Sequence, residues 1–234
     1  MCTVSFLPLP NNNFILTSNR DESPFRKTIA PEFYIEYNTK LLYPKDELAG
    51  GTWIGVSEKN RLVCLLNGGF EKHQRKQSYK TSRGVIVKEL LASDNGIQYI
   101  EQYDFKDIEP FTIILVEWEP ELKVHELVWD GEKKHFYQLP LTPKIWSSSP
   151  LYDSKMKKER ENWFQNWQDI NSNFSKESIL EFHHNTDLGT KTTAPVMDRL
   201  FVKTVSISCV EKTNNNLSFS YEELNSGKKK EVLF

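Results

Sequence analysis

Short apolar runs separated by polar turn segments dominate the first third of the chain. Short runs bounded by Pro, Asn and Gly are typical of strands rather than helices. The polar segment Pro8–Asn13 predicts a turn that joins the first two runs as adjacent antiparallel strands. The strands predicted in this region are Cys2–Leu7, Phe14–Ser18, Thr52–Ser57 and Leu62–Asn67.

In the middle of the chain the apolar residues recur with helical spacing, and strands are predicted again at its end. One long helix is predicted at about Ser154–Trp167, since Met156, Arg160, Trp163, Phe164 and Trp167 form a stripe that packs against a sheet. The other predicted helices are Gly84–Ala92, with Ser82 as a possible cap, Asn95–Gln102 and Lys176–His183; the other strands are Phe111–Glu117, Lys123–Trp129, Thr204–Val210, Leu217–Tyr221 and Glu231–Phe234. This order predicts one α+β domain over residues 1–234 that is rich in antiparallel sheet.

Composition excludes several classes of protein. The 234 residues contain 30 Lys and Arg against 32 Asp and Glu, so no basic excess points to a nucleic acid. No apolar stretch approaches the ~18 residues that span a bilayer, and no signal peptide precedes Pro8. Three cysteines without close spacing predict neither a disulfide framework nor a metal site, and Cys64 and Cys209 lie in apolar runs as core residues. We therefore expect a cytoplasmic protein without a metal or other cofactor.

Cys2 is the first residue with candidate chemistry. If Met1 is removed, Cys2 carries a thiol and a free α-amine on one residue. The sulfur can then attack a carbonyl while the amine takes the proton and later returns it to the leaving group. The alternative interpretation is a small apolar residue at the head of a buried strand.

Arg20 and Asp21 strengthen the catalytic interpretation. They end the second predicted strand, and a hairpin brings that end back beside Cys2. A guanidinium near Cys2 would lower the pKa of its thiol, and a carboxylate could orient the α-ammonium group. The alternative is a solvated ion pair at a strand end.

Five segments carry a resemblance to a known family. Met1-Cys2 with Asn19-Arg20-Asp21-Glu22, then Gly50-Gly51-Thr52-Trp53, then the strand ending in Asn67, and more weakly Asp198–Lys203, resemble the NRDE family. This family is also called the transport and Golgi organisation protein 2 family. It is related to N-terminal-nucleophile hydrolases such as bile salt hydrolase and penicillin V acylase.

The resemblance implies a four-layer αββα sandwich, in which two antiparallel sheets are flanked by helices, and it implies site roles. Cys2 would be nucleophile and base, Arg20 would stabilise the thiolate and Asp21 would orient the α-amine. Asn67 would donate to the oxyanion, unless it only begins the turn at Gly68.

Three further residues are candidates for binding the substrate. Trp53 could line a cleft, or be an ordinary core aromatic. Ser148 occupies the position of a second oxyanion-hole Asn in the related acylases, and Lys203 the position of a late Arg. A hydroxyl donates only one proton and an ammonium lacks the planar fork, so both are departures from the acylase pattern.

Two functions remain open from the sequence. The first is an amidohydrolase that cleaves a C–N amide bond of a small molecule through a Cys2 acyl-enzyme. The alternative is a non-catalytic binder or carrier of an amphipathic ligand, haem or an acyl lipid, on the same fold. His183 and His184 are expected at a helix end, where a positive charge would complement the helix dipole.

Overall fold

The computed structural model describes the backbone of residues 2–234 and the side chains of residues 3–234. The chain forms two compact units. The first unit contains the described residues up to 26 together with residues 142–234, and the second contains residues 27–141. The first unit therefore combines both ends of the chain, whereas the second is one continuous segment.

The first unit is an antiparallel sheet with two helices. Its strands are β1 (Cys2–Leu9), β2 (Asn13–Glu22), β10 (Lys144–Ser147), β11 (Lys203–Thr213), β12 (Asn216–Glu223) and β13 (Lys228–Leu233), in the order β10-β1-β2-β11-β12-β13. Its helices are α3 (Ser154–Ile170) and α4 (Lys176–His184). The N-terminal hairpin thus occupies the middle of a six-stranded sheet.

One face of this sheet carries the two helices. Leu7, Ile15 and Cys209 project from the strands into an apolar cluster. Phe164 and Trp167 of α3, with Ile179 and Phe182 of α4, complete that cluster. Because side chains alternate along a strand, the odd-numbered residues of β2 lie on this helix-bearing face and the even-numbered ones on the opposite face.

The second unit is a seven-stranded antiparallel sheet with two helices. Its strands, in order across the sheet, are β3 (Thr28–Glu36), β4 (Thr39–Asp46), β5 (Ile54–Ser57), β6 (Arg61–Asn67), β7 (Phe111–Glu117), β8 (Lys123–Trp129) and β9 (Lys134–Leu139). The helices are α1 (Arg83–Ala92) and α2 (Gly96–Gln102). Helix α1 packs against β5 and β6.

The predicted α+β class with antiparallel sheets is confirmed, but four strands have no counterpart in the prediction. These are β3, β4, β9 and β10. Strands β3, β9 and β10 lie at sheet edges. The side chains of β3 and β9 are largely exposed, whereas β10 has only four residues, of which Ile145 and Trp146 are buried. Exposed edge strands such as β3 and β9 have no apolar run that would predict them. In β3, Pro31 is also a residue type that the sequence pattern of a strand disfavours.

Two smaller expectations have clear outcomes. Ser82 is the N-cap residue of α1, as predicted, although its side chain makes no capping hydrogen bond. Within residues 2–234, no helix combines the length and apolar character needed to cross a membrane.

The segment Gly50-Gly51-Thr52 depends on close backbone packing. A Cβ atom placed on Gly51 would lie 2.9 Å from the carbonyl carbon of Gly84, at the start of α1. The amide of Thr52 donates to the Gly84 oxygen at 3.4 Å. Gly51 is therefore required for the contact between this loop and α1.

We predict that Gly51→Ala destabilises the protein by about 1–3 kcal/mol, because the new methyl group meets backbone that cannot move aside alone. Urea unfolding followed by circular dichroism measures the loss. Gly50→Asn is the control, since Gly50 has φ +67 and open space around its Cβ position, and Asn tolerates that conformation. Equal stability of the Gly51→Ala variant and the unmodified protein would contradict this account of the packing.

Candidate functional site

The first two strands place the backbone of Cys2 directly opposite Arg20. The register runs from Cys2 with Arg20 to Leu9 with Asn13, without interruption. The predicted hairpin is therefore confirmed. The predicted contact of the Cys2 sulfur with Arg20 or Asp21 lies outside the described residues, because the structure describes only the backbone of Cys2.

Arg20 and Asp21 project to opposite faces of the sheet, as consecutive strand residues must. Both are buried: Arg20 is 4% exposed and Asp21 is 0% exposed. Asp21 lies on the helix-bearing face, with Asn19 and Thr17. The alternative of a solvated ion pair at a strand end is therefore wrong, since neither side chain is solvated.

Two hydroxyl groups hold the Asp21 carboxylate. Thr204 Oγ1 donates to Oδ1 at 2.7 Å, and Tyr152 Oη donates to Oδ2 at 3.0 Å. Burial raises the pKa of Asp21, while the bond from Thr204, the nearby charge of Arg160 and the bond from Tyr152 act to lower it. The carboxylate is thus fixed in orientation, and the cost of its burial is partly offset by these groups.

The register of β11 brings Thr204 to this position. Thr204 pairs with Asp21 and Ser206 pairs with Arg20, so Val205 between them forms an irregularity in the ladder. Such a bulge bends a strand and redirects its side chains. Thr204 thereby occupies the helix-bearing face beside Asp21.

Arg160 is the largest fully buried side chain near Asp21. Its Nε donates to Ser147 Oγ at 3.0 Å, and Nη1 donates to the Ala194 oxygen at 3.0 Å and to the Thr193 oxygen. Nη2 donates to Thr3 Oγ1. The guanidinium also lies 4.2 Å from the centroid of the Tyr152 ring. Arg160 therefore joins α3 to the residue that follows Cys2.

Ser148 and Lys203 lie near this group of residues. Ser147 pairs with Thr3, so Ser148 follows at the position next to Cys2 along the ladder. Ser148 is 2% exposed, and its hydroxyl has no hydrogen-bond partner among the described residues. Lys203 is the first residue of β11 and pairs with Glu22. Cys2, Arg20, Asp21, Ser148 and Lys203 thus lie at one end of one sheet.

Asn67 and Trp53 belong to the second unit. Asn67 is the last residue of β6, and the amide of Gly68 donates to the Pro110 oxygen at 2.9 Å as the strand ends. Trp53 precedes β5 and is 7% exposed, and its carbonyl accepts from the amide of Leu65 at 2.7 Å. Their predicted roles as oxyanion donor and substrate contact remain predictions.

His183 is part of a buried chain of hydrogen bonds on the helix-bearing face of the first unit. Asn19 Nδ2 donates to the carbonyls of His183 and Pro195, so Asn19 Oδ1 must accept from His183 Nδ1, at 2.7 Å. The other ring nitrogen, Nε2, then accepts from Ser5 Oγ, at 2.7 Å. This arrangement fixes the neutral tautomer of His183.

The expectation of a positive charge on His183 is therefore wrong. Burial lowers the pKa of His183 to about 3, and the charges of Arg160 and His184 act in the same direction. His184 differs from its neighbour, because its Nδ1 donates to the Leu180 oxygen at 2.7 Å and its Nε2 contacts Glu222 at 2.9 Å. Only the outer of the two histidines stands where a positive charge has a carboxylate partner.

Four residues of this network are absent from the sequence-based site: Thr204, Tyr152, Arg160 and His183. One of them carried a signal. Arg160 occupies a position in the otherwise aromatic stripe of α3, and an Arg on a buried helix face must have polar partners. No local pattern marks Tyr152 or Thr204, since each reaches Asp21 from a distant part of the chain.

The chain is similar to known proteins both in sequence and in fold. A family model described as Transport and Golgi organisation 2 matches residues 1–219. The chain belongs to this family. A Transport and Golgi organization protein 2 homolog from Bos taurus is 31% identical over 111 residues, which cover 44% of this chain and 39% of that relative. The match thus spans about two fifths of the curated relative.

Solved structures share the fold. The N-acylethanolamine-hydrolyzing acid amidase ortholog of Caenorhabditis elegans has a TM-score of 0.62 at 13% identity, over 89% of this chain and 92% of that one. A variant of the conjugated bile acid hydrolase from Clostridium perfringens has a TM-score of 0.55 at 11% identity, over 99% and 92%. At such low identity the likeness shows the fold alone, and the predicted resemblance to N-terminal-nucleophile hydrolases is confirmed at that level.

The neutral state of His183 predicts a pH dependence of stability. Its pKa is about 3 in the folded chain and 6.5 ordinarily, so the unfolded chain binds one more proton between these values. The free energy of unfolding should therefore fall as pH drops from about 6.5 to about 3, by roughly 1.4 kcal/mol per pH unit from this residue.

The difference between unmodified protein and His183→Gln isolates this contribution, since Asp21 and other groups titrate in both proteins. We expect a shallower dependence on pH in His183→Gln, measured by urea unfolding between pH 7 and pH 4. His135→Gln, in the second unit, is the control. Parallel pH curves for unmodified protein and His183→Gln would show that His183 is not held neutral.

The two buried thiols should be inert. Cys64 and Cys209 are 0% and 1% exposed, which confirms the predicted core positions. Burial raises the pKa of Cys209 to about 12, although its sulfur accepts a hydrogen bond from Thr17 Oγ1 at 3.4 Å. Because the thiolate is the reactive form, neither should react near neutral pH.

We predict that iodoacetamide at pH 7 modifies Cys2 first once Met1 is removed. Peptide mass spectrometry locates the label, and the same reaction in urea should modify all three thiols. Labelling of Cys64 or Cys209 ahead of Cys2 in the folded protein would contradict this assignment.

Proposed function

We propose that this family member is an N-terminal-nucleophile amidohydrolase that cleaves a C–N amide bond of a small molecule. The observation that carries the proposal is the pairing of Cys2 with Arg20, next to a buried Asp21 whose carboxylate is held by two hydroxyl groups. A buried carboxylate with only neutral donors in contact favours a cation beside it. The α-ammonium group of a processed Cys2 would be that cation.

The proposed reaction starts with removal of Met1. The α-amine of Cys2 accepts the thiol proton, and the sulfur attacks the carbonyl carbon of the amide. The tetrahedral intermediate then collapses: its C–N bond breaks, and the leaving amine takes the proton from the α-ammonium group. Water attacks the thioester with the α-amine as base, which releases the carboxylic acid and restores the thiol.

The other predicted residues have supporting roles. Arg20 would favour the thiolate form of Cys2. Ser148 would donate to the oxyanion of the intermediate. The unpartnered hydroxyl of Ser148 supports this role, because a buried donor without a partner is costly unless it has a function. Lys203 would contact the substrate, while the roles of Asn67 and Trp53 stay predictions from the sequence.

The likeness in fold supports a proposal for the substrate class. The names of two proteins that share this fold describe an acid amidase for N-acylethanolamines and a hydrolase for conjugated bile acids. We therefore propose a fatty-acyl or similar amphipathic amide. The mechanism requires a reduced Cys2, so a reducing compartment such as the cytoplasm suits it.

We predict that Cys2→Ala lowers turnover of decanoyl-7-amino-4-methylcoumarin at least ~10³-fold, because no acyl-enzyme can form. Cys2→Ser should also be strongly impaired, since a hydroxyl is far less ionised near neutral pH. Arg20→Ala should reduce turnover about tenfold by raising the pKa of the Cys2 thiol. Released coumarin fluorescence measures the rate, and intact mass detects both the loss of Met1 and the acyl-enzyme.

Cys64→Ala is the matched control and should keep full turnover, since Cys64 is a buried residue of β6. Two results would refute the proposal: Cys2→Ala as active as the unmodified protein, or Met1 retained on protein isolated from its native host. Tight binding of fatty acyl groups by unmodified protein and Cys2→Ala alike, without turnover, would indicate the alternative of a non-catalytic carrier.

A further inference from the structure

We propose that Tyr152 and Thr204 are positioning residues, which keep Asp21 ionised and oriented for the N-terminal amine. This inference rests on the proposed function, in which Asp21 holds the α-amine of Cys2. It adds two residues that touch neither substrate nor the reacting atoms. Their effect would be exerted through Asp21 alone.

The two hydroxyl groups fix both oxygens of the carboxylate. Thr204 Oγ1 lies 2.7 Å from Oδ1, and Tyr152 Oη lies 3.0 Å from Oδ2. With one donor on each oxygen, the plane of the carboxylate is set, while each oxygen keeps a lone pair for a further donor. A carboxylate held in this way can receive an ammonium group without reorganisation.

Thr204 is itself held in place. Its Oγ1 accepts from the amide of Met197 at 2.9 Å, and the amide of Thr204 donates to the Met197 oxygen at 2.9 Å. Because a hydroxyl has one proton, and the Pro195 oxygen is more distant at 3.4 Å, the proton of Thr204 is directed to Asp21. The bulge beside Thr204 gives its side chain this direction.

Tyr152 is held in place by two arginines, Arg160 and Arg199, and by the backbone of Ser148. The guanidinium carbons of Arg160 and Arg199 lie 4.2 Å and 5.3 Å from the centroid of its ring. Arg199 Nε in turn donates to the backbone carbonyl of Thr192 at 3.0 Å. The backbone amide of Tyr152 donates to the backbone carbonyl of Ser148 at 3.1 Å. Tyr152 is 1% exposed, so water does not compete with Asp21 for its hydroxyl.

The charges around Asp21 determine the sign of the expected effect. Burial raises the pKa of Asp21, and the hydroxyl donors and Arg160 of α3 counteract it. Burial and the Asp21 charge raise the pKa of Tyr152, so the phenol stays a donor at every working pH. Four further charged residues lie nearby in the structure. Arg199 lies against the Tyr152 ring, and Arg20 projects to the opposite face of the sheet. Glu22 and Lys203 pair with each other in the ladder, next to the pair of Asp21 and Thr204. Removing either hydroxyl should therefore raise the pKa of Asp21 further.

A direct titration of Asp21 tests the inference without any substrate. Protein labelled with ¹³C at the aspartate side-chain carboxyl is titrated by NMR, and Asp21→Asn identifies the resonance. We expect the midpoint of Asp21 to rise by about one pH unit in Tyr152→Phe and in Thr204→Val. Thr204→Ser, which keeps the hydroxyl, should restore the midpoint, as a purely steric role of Thr204 would not require.

Tyr43→Phe is the matched control. Tyr43 is also a fully buried tyrosine whose hydroxyl donates to a carboxylate, that of Glu36, but it lies in the second unit. This variant should leave the Asp21 midpoint unchanged. Circular dichroism and thermal unfolding confirm that each variant is folded, and Tyr152→Leu, which also removes the ring, should raise the midpoint at least as much as Tyr152→Phe.

Turnover of decanoyl-7-amino-4-methylcoumarin provides the functional measurement. Tyr152→Phe should lower kcat about tenfold and leave KM unchanged, because the positioning acts after the substrate is bound. An unmoved Asp21 midpoint in folded Tyr152→Phe would overturn the inference, and so would a moved midpoint with unchanged kcat. Failure of the proposed function looks different: Cys2→Ala would retain turnover, whatever Asp21 does in the titration.

Discussion

The buried guanidinium of Arg160 is the interaction on which the first unit depends. Removing such a cation from water is costly unless its donors are satisfied. Arg160 meets this requirement with two carbonyl oxygens, the hydroxyls of Ser147 and Thr3, and the face of Tyr152. These partners come from β1, β10, the loop that contains residues 193 and 194, and the segment just before α3 that contains Tyr152. One side chain thus fixes the relative positions of four segments, and the strand that begins at Cys2 is one of them.

Alternation along β2 separates two environments. Asn19 and Asp21 project to the helix-bearing face, where His183, Tyr152 and Thr204 satisfy them. Arg20, between them in the sequence, projects to the opposite face beside Ser206. The consecutive residues Asn19, Arg20 and Asp21 are therefore divided between two faces, and the register determines which face each of them occupies. A slip of one residue would exchange the faces of all three.

The sequence predicted the parts of the fold that are encoded locally. The N-terminal hairpin could be predicted because two apolar runs flank a polar turn, and its register then follows from the length of that turn. Helices α3 and α4 could be predicted from their spacing. The edge strands β3 and β9 could not, because they bury little and so show no apolar run. Their pairing is determined by the neighbouring strand, which is information that lies elsewhere in the chain.

The candidate site was predictable to the same extent. Cys2, Arg20 and Asp21 are linked by one hairpin, so local reasoning brings them together. Tyr152 and Thr204 reach Asp21 from 131 and 183 residues away along the chain. Contacts of such long range follow from the packing of the whole unit, and no window of sequence contains them.

The two faces of this sheet also differ in how fully their polar groups are satisfied. On the helix-bearing face, Asn19, Asp21 and His183 each have well-placed partners. On the opposite face, the hydroxyls of Ser18, Ser206 and Ser208 are buried and have no partner among the described residues. Ser18 pairs with Ser208, and Ser206 pairs with Arg20, so these three hydroxyls belong to neighbouring positions of one face. A buried unsatisfied hydroxyl costs about 1–3 kcal/mol, and apolar residues of similar size would avoid that cost. These unsatisfied hydroxyls therefore reduce the stability that the same face gains from the buried apolar side chains of Val4, Phe6 and Phe14.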